Sequence, residues 1–97
     1  MLRHVVLMRW KPETSDAQKQ AVREGLAALP AAIPEIRSYQ FGDDAAIVNG
    51  NFEFAIVADF ENEPDFQTYA THDAHQKLIA EHIRPILQDR AAVQYAL

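Results

Sequence analysis

A chain of 97 residues can build one domain with a core of its own, but not two. Nine Lys and Arg against fourteen Asp and Glu give a net charge of −5, the wrong sign for a phosphate-backbone binder, and no basic cluster offsets it, so no nucleic-acid partner is expected. Cysteine is absent, which removes disulfides, thiolate nucleophiles and Cys-based zinc or iron–sulfur sites, while 48% hydrophobic and 24% charged residues make a globular balance.

His4 to Trp10 alternates as a strand, with His4, Val6, Met8 and Trp10 on one face and Val5, Leu7 and Arg9 on the other. This opening has no signal-peptide apolar region, and no apolar run reaches the ~18 residues of a membrane span, so a cytoplasmic protein without a membrane partner is expected. Ser15 and Gln18 form a capping box that opens a helix over 16–29, with Val22, Gly25, Leu26 and Leu29 as its apolar stripe. Gly25 costs roughly 1 kcal/mol of helix propensity against Ala, and its place in the stripe predicts a close approach of helix to sheet. Pro30 and Pro34 are expected to stop the helix. A second strand over 36–41 ends at Gly42-Asp43-Asp44, and a loop with the turn signal Asn49-Gly50 follows. The strand over 52–60 puts Phe52, Phe54, Ile56, Ala58 and Phe60 on one face and Glu53, Ala55, Val57 and Asp59 on the other. Pro64 opens a short helix to about residue 70. A third amphipathic helix is expected over 73–87, disturbed near its end by Pro85, and residues 90–96 make the last strand.

The order β-α-β-β-α-α-β predicts an α+β, ferredoxin-like fold in a single domain over 1–97, with a four-stranded antiparallel sheet and its helices on one face. Val5, Leu7, Ala55 and Val57 would then form an apolar patch on the bare face, and a homodimer packed sheet to sheet is expected to cover it.

The stretch Tyr69-Ala70-Thr71-His72-Asp73-Ala74-His75-Gln76 holds two of the four histidines. His72 and Asp73 are both candidate N-caps of the third helix, and Asp73 with Gln76 has the form of a capping box. At 100° per residue His75, Ile79, His82, Ile83, Ile86 and Leu87 share one stripe, so His75 points inward. The helix N-terminus and desolvation both favour a neutral imidazole there, which suits a general base and, more commonly, a structural histidine bonded to a neighbour. His82, on the same stripe, reads as a core histidine. His72 and His75 have the spacing of two metal ligands, but they leave the helix start on different sides and lack a third, so no metal is expected.

Together, His4-Val5-Val6-Leu7, Gly25-Leu26-Ala27-Ala28-Leu29-Pro30, Ile33-Pro34, the Tyr69–Gln76 stretch and Arg84-Pro85-Ile86-Leu87 resemble the stress-responsive dimeric α/β-barrel family. The resemblance spans nearly the whole chain. It implies a ferredoxin-like domain dimerised through its sheet into a barrel, and, in some members, cofactor-free enzymes such as polyketide cyclases that close a poly-β-ketone by aldol condensation. Carried over by motif, Tyr69 and His75 are the catalytic candidates, with His75 as general base and Tyr69 as oxyanion donor. His4, Phe54 and His72 are the substrate-binding candidates. Asp73 replaces the family's usual proline, and Phe54 stands where a cyclase has a further pocket histidine, so a less polar cavity is expected. The resemblance thus implies a small apolar carbonyl ligand and no cofactor. Two other readings stay open: a non-catalytic dimeric stress-response or small-molecule-binding protein, and a cofactor-free monooxygenase or haem-handling protein.

Overall fold

The computed structural model describes residues 1–97 and contains four strands: β1 (Leu2–Trp10), β2 (Ser38–Asp43), β3 (Phe54–Phe60) and β4 (Leu87–Ala96). They form one antiparallel sheet in the order β2-β3-β1-β4. Helix α1 (Asp16–Ala32) links the first two strands, and α2 (Glu63–Thr71) and α3 (Asp73–Leu78) follow β3. This is the expected ferredoxin-like α+β arrangement. No helix is long and apolar enough to cross a membrane.

Alternation along the strands sorts the two faces. Val6, Met8 and Trp10 of β1 and Phe54, Ile56, Ala58 and Phe60 of β3 are buried beneath the helices, where they meet Val22, Leu26 and Leu29 of α1. On the outer face Val5, Leu7, Ala55 and Val57 are only half-buried, and Val93 and Tyr95 of β4 are exposed beside them. Two charged pairs stand on this face: Arg9 with Asp89 at 3.2 Å, and Arg3, which grips Asp59 with two parallel bonds of 2.8 and 2.9 Å that hold the Asp59 carboxyl below its usual range.

Several local expectations are corrected. Pro30 does not stop α1, because its missing N–H costs one bond in the last turn and the Ile33 N–H still reaches Leu29 O at 2.9 Å. Gly25 faces a helix rather than the sheet, since a side chain there would run into Leu78 of α3. Nor is the third helix continuous to residue 87. After Leu78 the backbone widens into a π turn over Ile79–Ile83, tightens into a 3₁₀ turn over Arg84–Ile86 and enters β4 at Leu87, three residues earlier than expected. In the wider turn residues five apart share a face, so Leu78 and Ile83 are both buried. His82 is thereby rotated out to solvent, with Glu81 3.9 Å away, and is not a core histidine.

Candidate functional site

Between the sheet and the helices lies a cavity of about 330 Å³. Its walls are mostly apolar: Val6 and Met8 from β1, Leu26 from α1, Ile56 from β3, and Ile79 and Ile83 from the π turn. Five polar side chains enter the same space, namely His4, Tyr69, His75, Arg84 and Arg90.

The α2–α3 junction sets two of them. His72 ends α2 and begins α3 with an extended backbone, and its Nδ1 accepts the Ala74 N–H at 3.1 Å. A ring nitrogen therefore does the capping, and the Asp73–Gln76 box does not form. Gln76 instead turns its side-chain amide back to Ala70 O. This sharp turn lays His75 against Tyr69, with ring centroids 4.2 Å apart and planes 35° from parallel.

The hydrogen bonds fix the protons. His75 Nδ1 lies 3.1 Å from Ala70 O, and a carbonyl can only accept, so Nδ1 carries the proton and Nε2 keeps its lone pair. Burial, above all, holds this imidazole below its ordinary value of 6.5, outweighing the Ala70 bond. His4 has the opposite tautomer. The amide nitrogen of Gln94, its neighbour across the β1–β4 ladder, donates to His4 Nδ1 at 2.7 Å and leaves the proton on Nε2. Burial first, then the charges of Arg90 and His75, lower the His4 value to about 4. Two neutral imidazoles thus offer one acceptor and one donor.

Tyr69 is buried, and its hydroxyl meets the Tyr39 hydroxyl at 2.9 Å. Burial raises both phenols above their ordinary range, so both stay protonated at neutral pH. His4 stands edge-on to Tyr69, with ring centroids 6.2 Å apart.

Of the residues expected from sequence, His4, Tyr69 and His75 come together on the cavity. His72 serves the helix cap and is not in its wall. Phe54 lies on the same sheet face but packs against Trp10 and Phe41, at centroid distances of 5.6 and 6.1 Å, and is outside this cavity too. Sequence reasoning missed Tyr39, Gln94, Arg84 and Arg90. The alternation of β2 would have placed Tyr39 on the inner face; the other three needed the strand register and the end of the third helix.

The model of the stress responsive A/B barrel domain matches residues 2–97. Among solved structures, a dimeric ferredoxin-like protein of unknown function from Thermobifida fusca is 44% identical, with a TM-score of 0.91 over 99% of this chain and 90% of that one. A dimeric ferredoxin-like protein from Bacteroides fragilis is 26% identical, with a TM-score of 0.86 over 99% and 95% of the two chains. A hydroxynitrile lyase from Passiflora edulis, 20% identical over 97% and 90% with a TM-score of 0.85, shares the fold. No curated protein matches. With the family model matching all but its first residue, the chain belongs to the stress responsive A/B barrel domain family.

Proposed function

We propose that the cavity binds a small, mostly apolar carbonyl compound and catalyses proton transfer at the carbon beside the carbonyl, without a cofactor. The convergence of a bare imidazole nitrogen, a phenol and an imidazole N–H on one apolar cavity carries this proposal. His75 Nε2 takes the proton, and the electron pair of the broken C–H bond moves to the carbonyl oxygen. With Tyr39 donating to Tyr69, the Tyr69 proton is free to hold that oxyanion, and His4 Nε2–H orients the ligand. Return of the proton from His75 to the carbon closes the cycle; in the other branch the enolate carbon attacks a second carbonyl while His75 keeps the proton, and the alkoxide that forms then takes it. The size of the cavity suits a small ligand.

The same proposal includes a homodimer that buries the outer sheet face. Its support is the apolar patch and the dimeric state of the Thermobifida and Bacteroides proteins.

The test is solvent deuterium incorporation at the α-carbon of 2-octanone and 4-phenyl-2-butanone, followed by NMR. Wild type is expected to accelerate exchange, His75→Ala to lose roughly 10²–10⁴-fold and Tyr69→Phe roughly 10²-fold. Exchange that is equally fast with His75→Ala would refute the proposal. One observation favours a structural role for His75: its bond to Ala70 O pins the helix junction. The Gln76 amide bonds the same carbonyl, so His75→Ala does not orphan it and is expected to cost at most about 1 kcal/mol in urea unfolding. A much larger loss would favour the structural role.

A further inference from the structure

Four of the six arginines are neutralised by a carboxylate: Arg3 by Asp59, Arg9 by Asp89, Arg23 by Asp43 and Arg37 by Glu61. The two left without an ion pair, Arg84 and Arg90, both line the cavity, and no Asp or Glu lines it with them. A protein of net charge −5 thus places two uncompensated guanidinium groups in one mostly apolar cavity.

Their placement follows from the backbone. Arg84 opens the 3₁₀ turn that ends the third helix, and Arg90 lies on β4 opposite Met8 of β1. The two side chains thus reach the same cavity from two different elements. Gln94, which holds His4, lies four residues further along β4, roughly 13 Å at ~3.3 Å per residue. The charge of Arg90 nevertheless reaches the imidazoles, since it contributes to the lowering of both His4 and His75. Guanidinium groups suit planar carboxylates, which they bind with paired charge-assisted bonds.

From this we infer that the ligand is an acid: an apolar keto acid whose carboxylate is held by Arg84 and Arg90 while a spacer of several carbons carries its carbonyl to Tyr69 and His75. The position of the carbonyl rests on the function proposed above; the carboxylate site stands on the two arginines alone. Without its anion the cavity repels cations through Arg84 and Arg90, and it offers neutral ketones apolar contact and the carbonyl donors alone. The acid end therefore supplies the affinity and sets which way round the ligand lies.

The experiment compares 7-oxooctanoate, its methyl ester and octanoate by titration calorimetry and by the ring-proton NMR signals of His4 and His75. Wild type is expected to bind 7-oxooctanoate about ten-fold or more tightly than the ester, with the preference shrinking as salt is added. R84Q and R90Q each weaken that preference, and the double variant abolishes it. Both residues are exposed and unpaired, so the variants keep the wild-type circular dichroism. Equal affinity for acid and ester, or a preference that survives in the double variant, overturns the carboxylate site. α-Deuteration separates the two proposals. Equal binding with exchange of the ester sinks the acid and leaves the carbonyl chemistry standing. Tight binding of 7-oxooctanoate and octanoate alike, with no exchange at the ketone, upholds the acid and sinks the carbonyl chemistry.

Discussion

A histidine kept neutral by burial makes stability depend on pH in one direction. The unfolded chain protonates His4 near 6.5, the folded one only near 4, so as the pH falls the unfolded state takes up the proton first. The stability due to a neutral His4 is complete above about 6.5 and is lost progressively down to about 4. His75 is shifted the same way, whereas the lowered Asp59 loses its contribution only below its ordinary value of 3.8. His4→Gln should therefore flatten the fall in melting temperature between pH 7 and pH 4.5, and a slope identical to wild type would refute the assignment. The tyrosine pair is a second test. Tyr39→Phe and Tyr69→Phe each leave a hydroxyl without its partner, at about 1 kcal/mol, while the double variant removes the bond whole. A double-mutant cycle in urea should show a coupling of about 1 kcal/mol, and strict additivity would mean that the bond contributes nothing. The motif made Tyr69 and His75 visible in the sequence, and for His4 alternation gave the strand face while the family resemblance gave the cavity. Phe54 was expected in the cavity from its match to a pocket position of the family, but here it packs against Trp10 and Phe41; alternation gives the face of a strand and not its partner, which is why Gln94, joined to His4 across 90 residues of chain, was not foreseen.

Among the elements, strands and α1 were the most legible, because period-two alternation and the Ser15–Gln18 box are local signals that packing did not override. The end of the third helix was illegible for a definite reason. A stripe drawn at 100° per residue assumes an α-helix throughout, and the π turn over Ile79–Ile83 breaks that assumption just where the cavity wall is built. Gly25 was read correctly as a close-approach residue but assigned the wrong neighbour. The contact with Leu78 decides its substitutions. For Gly25→Ala the terminal methyl of Leu78 can turn aside, and the gain in helix propensity of about 1 kcal/mol offsets that cost, so a change near zero is expected. Gly25→Leu overpacks the α1–α3 contact and should cost about 1–3 kcal/mol in urea unfolding. A stabilised Gly25→Leu would show that the two helices separate easily.

At the scale of the molecule, the outer face of the sheet is the feature in need of a partner. Val57 stands opposite Val5 in the β1–β3 ladder, near the middle of that face. Val57→Glu would set a charge into the proposed contact and should give a monomer by sedimentation equilibrium at concentrations where wild type is a dimer burying about 1,600 Å². A wild-type monomer at micromolar concentration would remove the basis of that prediction. Strand β4 connects this face to the cavity. It is hydrogen-bonded only to β1, with Arg90 turned toward the cavity while Ala91, Val93 and Tyr95 face outward. Under the two proposals above, one thin ribbon of chain is touched from inside by the ligand and from outside by the second copy. Whatever stiffens it on one side makes the other side less costly to order, so the midpoint of dimer dissociation becomes a gauge of occupancy, and dilution alone should loosen a bound molecule.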